Sequence, residues 1–117
     1  TALKFRRDAV STDELGLDAV NEWTLQLLRV RHLGQAEQRL HALLALLVNR
    51  LGVRCSDCYQ LSFRLTHDRF GELIGATRVT TTRLLSKWRQ AGLVAMASGD
   101  VTMRISPELI DSSPLQF

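Results

Sequence analysis

Leu65-Thr66-His67-Asp68-Arg69-Phe70-Gly71-Glu72-Leu73-Ile74-Gly75-Ala76-Thr77-Arg78-Val79-Thr80-Thr81-Thr82-Arg83-Leu84-Leu85 contains two short helices and the turn between them. Thr66 is placed to cap a helix over His67 to Ile74, with Phe70, Leu73 and Ile74 facing inward. Gly75-Ala76-Thr77 makes a tight turn. Thr77 then caps a second helix, to which Val79, Leu84, Leu85 and Trp88 give an apolar side until Gly92 ends it. Two short helices joined by a glycine-containing turn form a helix-turn-helix unit.

The flanking segments extend this unit on both sides. Downstream, Leu93 to Ala97 and Val101 to Ile105 flank Ser98-Gly99-Asp100, a hairpin pattern in which Gly99 takes the positive backbone angle of a tight turn. That hairpin reads as a wing, and Ser106 to Phe117 as a short capped helical turn plus a tail. Upstream, the alternation of Leu61, Phe63 and Leu65 with polar residues predicts a half-buried strand after a polar turn at Ser56-Asp57. Before it, Leu40, Leu43, Leu44, Leu47 and Leu51 recur at helical spacing up to Gly52, and the near-continuous apolar run Leu43 to Val48 predicts a core helix. A hinge near Gly34 separates it from an earlier helix, capped near Ser11 to Glu14, with a narrow stripe of Leu17, Val20, Thr24, Leu27 and Val30. A stripe that narrow suggests cover by a second copy of the chain. The expected organisation is therefore a tail or remnant of a preceding domain over 1–13, a dimerisation helix over 14–34 and a winged helix-turn-helix over 35–117. The fold class is mainly α with a small β component.

From Thr77 to Arg89 there are four cations, Arg78, Arg83, Lys87 and Arg89, and no acid, so much of the net charge of +3 is concentrated on one short segment. A helix-turn-helix seats its second helix in the major groove, where side chains of the first turns meet base edges and N-terminal amides meet phosphate. Arg78 and Arg83 lie about one and a half turns apart, and either can grip guanine through two hydrogen bonds. Thr80, Thr81 and Thr82 between them are β-branched and poor helix formers, but their hydroxyls suit bases and phosphates. The expected base readers are Arg78, Val79, Thr81, Thr82 and Arg83. Expected phosphate contacts are Thr66, His67, Thr77, Thr80 and Lys87. The competing reading of the charges is a solvated helix face on a winged helix that serves as a protein-interaction module without reading DNA; the order helix, turn, helix, hairpin favours DNA.

Residues Arg39 to Ile105 resemble the DNA-binding domain of the CRP/FNR family of transcription regulators, and the stretch quoted first carries the likeness together with Leu51-Gly52-Val53-Arg54-Cys55-Ser56-Asp57. Within that family the chain looks most similar to the global nitrogen regulators of cyanobacteria. The resemblance implies base reading by Arg78 and Arg83, phosphate contacts at Thr66 and Thr77, and pairing of subunits through residues from about 14 to 33. In the catabolite-activator branch an acid follows the first arginine of the recognition helix, whereas this chain has Val79, as the nitrogen-regulator branch does. A palindrome with GTA and TAC half-sites follows from that likeness. The family's effector pocket lies in a β-barrel ahead of the long helix, and this chain shows no run of strands for one. No cofactor is expected in the chain itself; by resemblance, a preceding domain would take 2-oxoglutarate or a cyclic nucleotide. The chain begins at Thr1 rather than methionine, which suggests a piece of something longer.

With 117 residues, 45% apolar and 23% charged, the chain has the make-up of one ordinary globular domain. Its longest apolar run, Ala42 to Val48, is far short of the roughly 20 residues that cross a bilayer, so a cytoplasmic location without membrane contact is expected. Cys55 and Cys58 form a Cys-x-x-Cys pair, but His32, His41 and His67 show no paired spacing, so no metal site is expected and the thiols read as free and partly buried in a loop. No nucleophile and base pair, glycine-rich phosphate loop or carboxylate pair suggests an enzyme. The expected partners are double-stranded DNA, a second copy of the chain and RNA polymerase.

Overall fold

A computed structural model describes residues 20–96 and 102–117. Helix α1 is described over 20–31, and a turn through 32–35 leads into α2, Ala36–Leu51. The apolar run of α2 is buried without a break from Ala42 to Val48, as expected of a core helix. Around it lie β1 (Val53–Arg54), β2 (Tyr59–Leu61), α3 (His67–Ile74), α4 (Arg78–Gln90), β3 (Val94–Ala95), β4 (Met103–Ile105) and α5 (Pro107–Asp111). The strands form one antiparallel sheet in the order β1-β2-β4-β3. Leu40, Leu43, Leu44 and Leu47 meet Phe70 and Ile74 from α3, Leu84, Leu85 and Trp88 from α4, and Leu61, Met103 and Ile105 from the sheet in a single apolar cluster. Burial of this kind, at about 25 cal/mol per Å² of apolar surface, is the main force holding the helix-turn-helix to its scaffold.

Three expectations change here. The first is the end of the dimerisation helix expected over 14–34: residues 14–19 lie outside the described residues, the helix stops at residue 31, and the described apolar side chains do not form a single seam. Trp23, Leu27 and Val30 pack against the chain's own core, with Val30 fully buried, while Val20, Leu25 and Leu28 are at least half exposed. Trp23, which lies outside the stripe of Leu17 to Val30, joins Leu27 and Val30 on the inner side. An Arg50–Glu22 ion pair further ties α2 to α1.

The second change is the strand expected at Leu61 to Leu65. The ladder runs instead from Tyr59 to Leu61, where Leu61 pairs with Met103, the first residue of β4. Beyond Leu61 no strand continues the ladder, so the chain leaves the sheet. It keeps its alternation all the same: Phe63 and Leu65 are partly buried and Ser62 and Arg64 exposed. Third, the two-residue strand β1 was not anticipated, being too short to show a period.

The wing is present as β3 and β4, with Val94 opposite Ile105 and Ala95 opposite Arg104. Its turn, including Gly99, lies outside the described residues, as do the segment 1–13 and the first residues, 14–19, of the expected dimerisation helix. After the wing, Ser106 caps α5 by accepting from the Glu108 amide at 3.2 Å. Among the described residues no helix is long and apolar enough to cross a membrane.

Candidate nucleic-acid interface

Both threonine caps form as the sequence suggests. Thr66 Oγ1 accepts from the Arg69 amide at 3.2 Å, and Thr77 Oγ1 accepts from the Thr80 amide at 3.1 Å. Each bond satisfies a helix N-terminal donor that would otherwise need water. Between the caps, Gly75 takes φ 70°, the left-handed conformation that ends α3 and turns the chain towards α4. Arg39 holds this corner from below. Its guanidinium donates to the carbonyls of Ile74 at 2.7 Å and Leu33 at 2.9 Å, joining the end of α3 to the turn after α1.

The helix-turn-helix is tightly packed at Gly71. A Cβ there would stand 2.6 Å from the Ala76 carbonyl oxygen and 3.3 Å from Thr81 Oγ1. Glycine is thus the condition for bringing α4 against α3 at this distance. Thr81 lies in the contact, fully buried, and its hydroxyl donates to the Thr77 carbonyl at 2.9 Å. Base reading by Thr81, expected from the sequence, is therefore corrected: its side chain is enclosed and its proton committed within the helix. The signal was available, because Thr81, Leu84, Leu85 and Trp88 follow the i, i+3, i+4, i+7 rule of an inward stripe. Val79, which was placed on the apolar side as well as among the base readers, falls outside that stripe and is 77% exposed.

The other four expected base readers do come together. Arg78, Val79, Thr82 and Arg83 line one open concave patch on the outer side of the first turns of α4. Arg78, Val79 and Arg83 are exposed, and Thr82 is half-buried. His67, the first residue of α3, meets this patch from behind, with Nδ1 2.7 Å from Thr82 Oγ1. Burial, and then the positive charges of Arg78, Arg89 and Arg64, lower the His67 pKa below its ordinary 6.5, while Asp68 opposes them weakly. Those three arginines around one imidazole mark a positive field centred on the junction of the two helices. Sequence reasoning had not assigned Arg64 or Arg89 to the site, since the first lies outside both helices and the second near the end of α4.

The remaining expected phosphate contacts are spread more widely. Thr66 and Thr77 are exposed at the two N-termini, and Thr80 is half-buried, its hydroxyl accepting from Thr77 Oγ1 at 3.1 Å. Lys87 is about 13 Å further along the axis of α4 than Arg78, and its ammonium pairs with Glu37 at 2.9 Å. A second concave patch runs from the Thr66 cap to Arg78, lined also by Asp68, Arg69, Glu72 and Ala76, with Arg69 and Glu72 paired at 2.8 Å.

Residues 38–109 match the family model described as a Crp-like helix-turn-helix domain. The chain belongs to this family. The regulatory protein CysR of Synechococcus elongatus is 41% identical over 75 residues, covering 62% of this chain and 36% of its own length. The global nitrogen regulator of Nostoc sp. is 33% identical over 82 residues, or 70% of this chain and 35% of that protein. The expected likeness to cyanobacterial regulators thus holds, and includes CysR besides the nitrogen regulators. The Crp-like chain spans about a third of the length of these relatives. Among solved structures, a CooA variant from Carboxydothermus hydrogenoformans superimposes with a TM-score of 0.69 at 19% identity, covering 93% of this chain and 53% of that one. Oxidised CprK in complex with o-chlorophenolacetic acid gives 0.62 at 18%, covering 92% and 45%. These two likenesses speak for the fold, and the family match for the helix-turn-helix within it.

Proposed function

We infer that the chain is the DNA-binding part of a transcription regulator, and that α4 is its recognition helix, seated in the major groove of a palindromic site. The observation that carries this reading is the convergence of Arg78, Val79, Thr82 and Arg83 on one exposed face at the start of α4. In this reading Arg78 and Arg83 grip guanines, and the Val79 and Thr82 methyl groups lie against thymine methyls. Thr66, His67, Thr77 and Thr80 hold the backbone through hydroxyls, imidazole and helix N-terminal amides. Lys87 joins them by exchanging Glu37 for a phosphate.

The exposed side chains of Val20, Leu25 and Leu28 on α1 support pairing with a second copy. A two-fold pair places its recognition helices about 34 Å apart, one turn of DNA. The regulator works in the cytoplasm and contacts RNA polymerase. Its effector, by likeness 2-oxoglutarate or a cyclic nucleotide, binds a domain other than this one. Catalysis has no part in this reading.

The test compares affinity, at one fixed salt concentration, for a duplex carrying the GTA and TAC palindrome and for a scrambled duplex of equal length. A preference of about a thousandfold or more is expected of base reading. Equal weak binding to both would reduce the interface to phosphate attraction. No binding even at low salt would favour a protein-interaction module.

A further inference from the structure

The β1–β2 hairpin carries a chemical group that DNA recognition does not use. Cys55 follows β1 and Cys58 precedes β2, and the Cys55 amide donates to the Cys58 carbonyl at 2.8 Å. The ladder next to them pairs Arg54 with Tyr59, so Cys55 and Cys58 are the facing, hydrogen-bonded pair that closes the hairpin. Residues in such a pair have Cα atoms about 5.5 Å apart, which lies within the span a disulfide bridges most often.

The side chains use that placement. Both cysteines are free and only partly buried, and Cys58 Sγ donates to Cys55 Sγ at 2.8 Å. A disulfide of about 2 Å is within reach of a small rotation of either side chain. Beside Cys58 an open groove of about 370 Å³ runs along the sheet, with Asp57, Leu93, Val94 and Arg104 among its lining. Arg104 offers this groove a cation suited to carboxylates.

We propose that Cys55 and Cys58 are a reversible disulfide site, oxidised by a low-molecular-weight disulfide of the glutathione type. Cys55, which accepts the Cys58 hydrogen bond and donates to Gln60 Oε1 at 3.8 Å, attacks first, as a thiolate once its proton has passed to solvent. It forms a bond to one glutathione sulfur. The glutathione disulfide breaks, and the departing thiolate takes up a proton. Cys58 then loses its proton to solvent and attacks the Cys55 sulfur, releasing the second glutathione as a thiol. Two electrons pass from the protein dithiol to the oxidant, leaving one protein disulfide and two molecules of reduced glutathione. The opposite order is disfavoured, since the Cys58 thiol is held protonated by its bond to Cys55 and by burial, against a smaller opposing effect of Arg104.

Closure ties β1, an edge strand, to β2, and through β2 to the wing strand β4. The enclosed loop is short, so the gain in stability from chain entropy is small. What changes is the freedom of the hairpin.

The test equilibrates the chain in glutathione buffers of increasing oxidised fraction, quenches it with an alkylating reagent, and reads intact mass and peptide maps. The expected result is a monomeric species that has lost both alkylation sites, carries a Cys55–Cys58 linkage and regains both sites after reduction. In the oxidised buffer Cys58→Ser should accumulate glutathione on Cys55, and faster than Cys55→Ser accumulates it on Cys58. Alkylation of both cysteines across the whole range, a linkage only between chains, or the reverse order of reactivity in the two variants would overturn the proposal. None of these readouts depends on DNA binding.

Discussion

His67 Nδ1 and Thr82 Oγ1 stand 2.7 Å apart, so the first residue of one helix is bonded to the outer face of the other at the point where that face meets solvent. The pair couples the capped start of α3 to the patch formed by Arg78, Val79 and Arg83. A proton gained by His67 is felt there directly.

Because the His67 pKa is lowered in the folded chain from its ordinary 6.5, the unfolded chain binds more protons in the window just below that value. Stability then rises with pH across the window. The contribution is complete above about pH 6.5 and is lost progressively as the pH falls towards the folded value. Melting curves between about pH 7.5 and 5.5 should therefore show a smaller decline for His67→Gln than for the unaltered chain. An equal decline would mean that other groups govern acid sensitivity.

Phosphate beside His67 would favour its charged form, so binding to DNA should take up a proton. Affinity for the palindrome is expected to increase as the pH falls through the same window, and His67→Gln should flatten that dependence. Titrations at matched ionic strength measure it.

Arg78→Ala and Arg83→Ala should each remove about 1–3 kcal/mol of discrimination between the palindrome and its scrambled counterpart. Affinity for the scrambled duplex should change far less. Thr81→Ser, in contrast, leaves the buried hydroxyl in place and should keep discrimination intact. If Thr81→Ser reduced discrimination as much as the arginine variants, its exclusion from the reading face would be wrong.

Gly71→Ala should be the most damaging single-atom change in the helix-turn-helix. The added carbon meets backbone at Ala76 and has no flexible neighbour to displace, so a loss of about 1–3 kcal/mol is expected in urea unfolding, in the range of overpacked sites. Thr66→Ala and Thr77→Ala should each cost about 1 kcal/mol through loss of a helix cap.

The helix-turn-helix was legible almost to the residue because its boundaries are set locally. Thr66, Gly75 and Thr77 act through bonds within their own turns, and α3 covers His67–Ile74 as the sequence suggests. Thr81 is the exception: the stripe it shares with Leu84, Leu85 and Trp88 marks it as inward, while its hydroxyl suggests a polar role, and the tight packing that encloses it relies on the missing Cβ of Gly71 on the other helix. The strand at Leu61 depends on a distant partner: alternation survives through Leu65, but the ladder ends at the pair Leu61 and Met103. On α1 the apolar residues divide between two sides. Trp23, Leu27 and Val30 pack onto the chain's own core, and Val20, Leu25 and Leu28 face outward.

Arg39 gives the molecule a mechanical property that its apolar core alone would not. Apolar contacts have no bond direction, whereas a planar guanidinium bonded to the carbonyls of Leu33 and Ile74 fixes the joint in two directions. The joint after α1 and the corner before α4 are in effect bolted to one rigid plate. Torque applied to the first helix is therefore delivered to the recognition helix with little slack, and Arg39→Lys, which keeps the charge but loses the plate, should loosen that transmission.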